Sequence, residues 1–396
     1  MRYAVLALLS CCFLAKATTA SADDVVGLDC SQKSLADAVR DVRDDRRTII
    51  LFTGICAGPI TIRTDGLTII GVSPAIIDGG GSDAVTVSGA GRVSLAYLEV
   101  RNGLNGIHAV NGAHLTLAGV TAHDNAVSGI SLQTASSAAL FNVAANDNGA
   151  HGLDVGNGAA ATVGGSLTAT GNHFAGLNVN GSTITFSQAT VVANGNALGV
   201  QIAGGANAII SDPATVINAD HNVVTGLRVA GARMLIVGGT FNASDNPVSG
   251  VSVKSNGGLD LDATATLNSA GNGDGVVVQD GSVLSVFNTP QLSGLMGFST
   301  LNVHNNTGNG VRVLTGSTLA LTSQGRVMST QNSRTGLVAD NGVGITLVNA
   351  TITGNTTKDL QMTFGARADL QTLVFGTYTC DATVLVRGTS GIVCPH

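Results

Sequence analysis

Tryptophan is absent from this chain, and aromatic residues of all kinds make up only 3% of its 396 residues. Length alone would allow two or three ordinary domains. A conventional layered core needs more large side chains than this chain supplies. Charged residues are also few, at 11%, and the formal net charge is −6. That balance disfavours nucleic acid and anionic lipid as partners. After residue 22 no apolar run reaches the roughly 18–20 residues of a membrane helix, so no membrane insertion is expected. Cysteine is sparse as well: beyond residue 22 only Cys30, Cys56, Cys380 and Cys394 remain. They form one local pair near each end, so Cys30–Cys56 and Cys380–Cys394 are the expected disulfides, although three connectivities are formally open.

What the chain does have is glycine, 53 residues of it, with many Asn, Val, Ile, Leu and Ala. That mixture suits short strands joined by tight turns. The first 22 residues read as a secretory leader. Arg2 supplies the positive start, Ala4 to Leu14 the apolar stretch, and Ala20-Ser21-Ala22 a small-residue cleavage site. The mature protein is therefore expected to be secreted or periplasmic.

A Gly followed by apolar, any, apolar recurs at Gly106, Gly129, Gly152, Gly176, Gly199, Gly226, Gly250, Gly275, Gly310 and Gly336. The spacing is 23 to 27 residues throughout, apart from one step of 35. The residue after each Gly is Ile, Leu or Val, and the residue two after it is mostly polar: His108, Ser131, Asp154, Asn178, Gln201, Arg228. On a strand the first and third of these positions point one way and the second points the other. In eight of the ten repeats an Asn stands four residues before the Gly: Asn102, Asn125, Asn148, Asn172, Asn222, Asn246, Asn306 and Asn332. Asn tolerates the left-handed conformation of a tight turn, and stacked turns would let these side chains bond from coil to coil. Further strands follow each repeat, as in AHLTLAGVTA from Ala113 and STITFSQATVVA from Ser182. The period predicts an all-β solenoid with three short strands in each coil of about 24 residues.

This pattern resembles the right-handed parallel β-helix of the pectin-lyase-like superfamily. The expected organisation is a leader over 1–22, an N-terminal cap and first strands over 23–72, the β-helix over 73–375 and a C-terminal cap over 376–396. Ser34 should cap a short helix bearing Leu35, Ala38, Val39 and Val42 on one stripe. Strands at TIILF and GPITI follow it. Such caps close the open ends of a stacked solenoid.

Within that superfamily the stretch His151-Gly152-Leu153-Asp154-Val155-Gly156 is similar to the Gly-His-Gly strand of polygalacturonases. The resemblance implies an Asp pair one coil earlier, where Val127-Ser128 stands, and a Thr-Asp one coil before that, where Leu104-Asn105 stands. The family's sugar-binding Arg and Lys would fall near Asn178 and Asn180. Without those carboxylates there is no general acid and no activated water, so His151 reads as a rung of the ladder. A uronate lyase needs a base and cations, yet no Lys or Arg occurs between Arg101 and Arg228. The later cations, Arg228, Arg233, Lys254, Arg312, Arg326 and Arg334, are spread along the chain and read as solvated surface.

Six of the eight histidines lie in the central coils: His108, His114, His123, His151, His173 and His221. Asp124 and Asp147 occupy matching turns, roughly 5 Å apart if stacked. Such a pair could share a proton, hold Ca²⁺ or act on a glycosidic bond, or diverge into water. The 35-residue coil carries an insertion around TPQLSGLMGFST, where Leu295, Met296 and Phe298 could make an apolar contact or fold over a strand.

Two functions follow. The first is an exported, non-catalytic module or scaffold binding a polysaccharide or cell-surface glycan. Its candidate contacts are His108, Ser131, Asn178, Gln201, Leu295, Met296 and Phe298. The second is a polysaccharide hydrolase using Asp124, Asp147, His151 and Asp154. The missing catalytic sets favour the first, and neither calls for a cofactor or a resident metal.

Overall fold

In the computed structural model, residues 24–43, 47–287, 298–322, 325–388 and 391–395 are described. The expected leader, and Leu295 and Met296 of the long coil, lie outside the described residues. The chain winds as a right-handed parallel β-solenoid, and the described residues place 25 and 14 strands in its two parallel sheets. Each turn contributes one strand to the fourteen-stranded sheet. The rest of the turn belongs to the larger sheet. Two short strands per turn were expected there, but in Ser137–Asn146, Ala160–Thr168 and Thr183–Val192 they fuse into one bent strand. The bend falls at a single left-handed residue, Asn142, Gly165 or Gln188. One such residue turns the corner without ending the ladder.

The inward positions carry the stability. Ile107, Ile130, Leu153, Leu177, Val200 and Leu227 stack in register from coil to coil, each fully buried. Phe52, Phe186 and Phe241 are the large side chains of a core otherwise filled by aliphatics. A narrow coil packed against near-copies of itself needs no tryptophan.

The recurrent Gly and Asn form one device. Asn125, Asn148, Asn172, Asn196, Asn222, Asn246, Asn272, Asn306, Asn332 and Asn355 line up as a ladder running the length of the solenoid. Each Oδ1 accepts from the previous coil's turn, as Asn172 does from the backbone N–H of Asn148 at 3.0 Å and from its Nδ2 at 3.0 Å. The Nδ2 groups also reach buried carbonyls such as Ala145 O and Ala169 O. A side chain on the Gly would collide with this arrangement. A Cβ on Gly176 would stand 2.7 Å from Ala169 O, 2.8 Å from Asn196 Nδ2 and 2.9 Å from Gly199 O.

Counting four residues back from the Gly gives an incomplete ladder. Asn102 stands one position early: it is exposed and bonds Asp78 instead, while Gly103 takes the ladder position by donating its N–H to Asn125 Oδ1. Asn196 and Asn272 are members although they stand three before Gly199 and Gly275, because their loops are one residue shorter.

A short helix packs on the first coil. Ser34 caps the helix Leu35–Arg40 by accepting from Asp37 N at 3.2 Å, and the helix buries Leu35 and Val39 with Ala38 and Val42 packed beside them. Cys30–Cys56 ties this end and Cys380–Cys394 the other. Within the span expected as a cap, two described strands extend the coil. Tyr378–Cys380 and Leu385–Gly388 pair in parallel with the preceding turn, and the second disulfide fastens them. No helix among the described residues is long and apolar enough to cross a membrane.

Candidate functional site

The outward face of the fourteen-stranded sheet has a polar floor and an apolar rim. The floor is built from the second position after each Gly, which strand alternation turns to solvent. Asp154 lies at its centre. Its Oδ1 accepts from Asn178 Nδ2 at 2.7 Å and its Oδ2 from Gln133 Nε2 at 2.8 Å. Gln201 Nε2 then donates to Asn178 Oδ1 at 2.9 Å, and Gln133 also reaches Ser131 Oγ at 3.2 Å and accepts from Asn157. Coil spacing of about 4.8 Å lets each amide reach its neighbour, so the floor is a pre-set hydrogen-bonded strip. An open cleft of about 440 Å³ lies over it, lined by Gln133, His151, Asp154, Asn157, Asn178 and Asn180.

His151 borders this cleft. Its Nδ1 is buried without a hydrogen-bond partner, and its ring meets Phe174 edge-on with 5.2 Å between centroids. Burial pulls its pKa below the usual imidazole value, outweighing the opposite pull of the Asp154 carboxylate. His151 is therefore neutral near pH 7.

The rim is formed by the turn just before each strand. Leu104, Val127, Ala150 and Phe174 are joined in a backbone ladder by N–H to carbonyl bonds of 2.6–2.7 Å, and Val224 and Val248 continue the row. Leu104, Val127, Phe174, Val224 and Val248 are all exposed. A row of apolar side chains thus runs beside the row of amides.

Further along the sheet the floor changes character. Arg228 follows Gln201 in register, and Lys254 follows Ala230. Arg228, Lys254 and Arg312 line a second cleft of about 290 Å³, with Ser252, Gln279 and Asp274 and with Val224 and Val248 on its rim. The expectation that these cations are scattered is corrected here. Distant in sequence, Arg228, Lys254 and Arg312 share one face, while Arg233 and Arg326 point from strands of the larger sheet.

Other sequence candidates are placed apart. His108 is on the floor but is held by Asp83, Nδ1 to Oδ2 2.7 Å, and Asp83 also accepts from Asn105. Burial opposes ionisation of Asp83, but Asn105 and His108 together hold its pKa below the usual carboxylate value. Asp124 and Asp147 sit in successive left-handed turns (φ 52° and 54°) beside the larger sheet, on the far side of the turn from the floor. Asp124 Oδ2 is 2.7 Å from His123 Nδ1, and His123 Nε2 lies 3.0 Å from Glu99. Burial works against the charged form of His123, yet its bonds to Asp124 and Glu99 raise its pKa. Phe298 is exposed just before the strand Ser299–His304 of the larger sheet, with the Arg326 guanidinium over its ring, 4.4 Å from the centroid. Among the described residues no group of three or more His, Cys, Asp or Glu side chains is arranged to hold a metal ion. A cleft of about 730 Å³ beside the cap helix holds none of these candidates.

Sequence reading missed Gln133, Asp83, the Phe174 rim and the cation cluster. The outward position of each repeat, followed past Gln201 to Arg228 and Arg312, carried the signal for the last of these.

The fold is that of a right-handed parallel β-helix. Residues 60–218 match the family model described as "Right handed beta helix region". No curated protein sequence matches the chain. Among solved structures, the chain is similar to an alginate lyase from Paenibacillus sp. str. FPU-7. The identity is 15% and the TM-score 0.49, covering 64% of this chain and 97% of that one. It is also similar to the A-module of the Azotobacter vinelandii mannuronan C-5 epimerase AlgE6. There the identity is 15% and the TM-score 0.47, covering 89% of this chain and 93% of that one. A third likeness, to the pectate lyase Pel9A, has 13% identity and a TM-score of 0.24, covering 92% and 79% of the two chains.

Proposed function

We propose that the protein is an exported, non-catalytic polysaccharide-binding β-helix whose ligand lies along the outer face of the fourteen-stranded sheet. The observation that carries this reading is the pairing of the exposed rim, Leu104 to Val248, with the amide floor, Ser131 to Gln201. Floor amides held by Asp154 cost little further ordering on binding. Two disulfides fit a chain that matures in an oxidising compartment such as the periplasm or the cell exterior. The absence of catalysis is argued from Asp154, whose two oxygens are both engaged by amides, and from the separation of Asp124 and Asp147 from that floor.

The test is a binding screen of purified protein on neutral and acidic polysaccharides, with Phe174→Ala alongside. Binding that weakens by roughly three- to tenfold in the variant is expected for a lost aromatic contact. Binding indifferent to Phe174 would remove the groove from the reading. A second reading, hydrolysis, is favoured by one observation, the unpartnered Nδ1 of His151 near Asp154. Reducing-end release abolished by His151→Ala would establish it in place of the first.

A further inference from the structure

We infer that the C-terminal half of this groove is an anion subsite, in which Arg228 and Lys254 hold a carboxylate or sulfate group of an acidic polysaccharide. The inference rests on the glycan-binding reading and names the class of glycan.

The cleft brings three cations to one carboxylate. Arg312 is already committed to that carboxylate, its Nη1 2.8 Å from Asp274 Oδ2, and Asp274 is fixed further by Asn309. Arg228 and Lys254 are in no ion pair among the described residues. The Nε of Arg228 is buried and has no hydrogen-bond partner. The guanidinium lines the cleft with no carboxylate paired to it, so an anion on the face could supply a charge-assisted bond. Lys254 stands in the next coil, one outward position further along the strand. Burial and the neighbouring Arg228 charge both depress its pKa, against a smaller opposite pull from Asp280. An anion between the two would relieve that repulsion.

The occupant is argued from what surrounds the cations. Val224 and Val248 extend the apolar rim into this cleft, while Ser252 and Gln279 offer neutral hydrogen-bonding groups. Successive coils repeat at about 4.8 Å, a distance comparable with one sugar residue of an extended chain. A single-stranded nucleic acid would want a run of aromatic stacking platforms and a basic protein. The rim offers Phe174 alone, and the chain carries a net charge of −6.

Titration calorimetry at low salt with polygalacturonate, dextran sulfate and uncharged dextran tests the inference, using wild type, Arg228→Gln and Lys254→Gln. Each variant is expected to lose about tenfold or more in affinity for an acidic polymer. Added salt should weaken wild-type binding. Thermal midpoints equal to wild type would show that the variants fold. Lys254→Glu is a second probe and should bind the acidic polymers more weakly than Lys254→Gln. Preference for polygalacturonate or for dextran sulfate tells carboxylate from sulfate, and either supports the subsite. Acidic polymers bound equally by wild type and both glutamine variants would overturn it. So would binding of dextran alone, although the glycan groove would then stand. No binding to any of the three would remove both readings. Arg228-dependent binding of oligothymidylate or polyglutamate at the same strength would overturn the glycan as occupant.

Discussion

The two halves of the groove differ in charge while sharing a backbone. From Ser131 to Gln201 the floor is amide and hydroxyl around one carboxylate, and no Lys or Arg occurs between Arg101 and Arg228. From Arg228 to Arg312 the outward side chains include three cations, Arg228, Lys254 and Arg312. Inward, the two halves are alike: Leu177, Val200, Leu227 and Val251 are all fully buried. The difference shows which positions of a coil the fold commits. The inward side chain, the Gly and the ladder Asn are fixed by stacking. The outward side chain is free to carry chemistry.

The largest effect should come from ignoring that division. Leu177→Asp places an unpaired carboxylate among aliphatics, at a cost of several kcal/mol, roughly 3–5. Both halves should lose their cooperative melt together in calorimetry. An unchanged melting temperature would contradict the register.

Asn222→Ala should cost less, about 1–3 kcal/mol, because it strands the buried backbone N–H of Asn196, which now reaches Asn222 Oδ1. Chemical denaturation measures this, and Asn102→Ala, outside the ladder, should lie within about 0.5 kcal/mol of wild type.

A graft sharpens the comparison. Asn178→Arg would put a cation on the neutral half, and affinity for an acidic polymer should rise by about threefold to tenfold if that half is also in contact with it. No rise would confine the acidic ligand to the Arg228 end.

The smallest effects are protonic, and two histidines should show them with opposite sign. His151 has a depressed folded pKa, so the unfolded chain binds its proton more readily. Stability should fall as pH drops below about 6.5 towards the folded value. His123 has a raised folded pKa. Its contribution is fully present below about 6.5 and fades as pH rises through the folded value. Melting temperatures of His151→Gln and His123→Gln between pH 5 and 8 would show the two slopes changing in opposite directions.

Much of this architecture could be read from the sequence, for an identifiable reason. The Ile, Leu or Val after each Gly sits in a core made of copies of itself, so periodicity and burial coincide. The ladder was harder to read, because Asn196 and Asn272 sit in loops one residue short and only pairing in space places them. The floor was partly legible at His108, Ser131, Asn178 and Gln201, which alternation turns outward. The cation cluster was not read: Arg228 and Arg312 stand two after Gly226 and Gly310, as the floor residues do, but Lys254 lies one outward position further along its strand, off that column. Asp124 and Asp147 do occupy matching turns, but that column lies on the other side of the turn from the floor.

The asparagine ladder has a direction. Every Oδ1 receives donors from the preceding coil, so the series needs a pure acceptor where it stops. Asp359 provides it: its Oδ1 takes Asn355 N and Nδ2, and its Oδ2 takes the N–H groups of Gly376 and Thr377. Coils between Asn125 and Asn332 are thus interchangeable links, each accepting at one side and donating at the other. Whole coils can be gained or lost there without rebuilding either terminus, lengthening or shortening the groove in steps of one strand. Asp359 is the fixed stop against which that growth is counted.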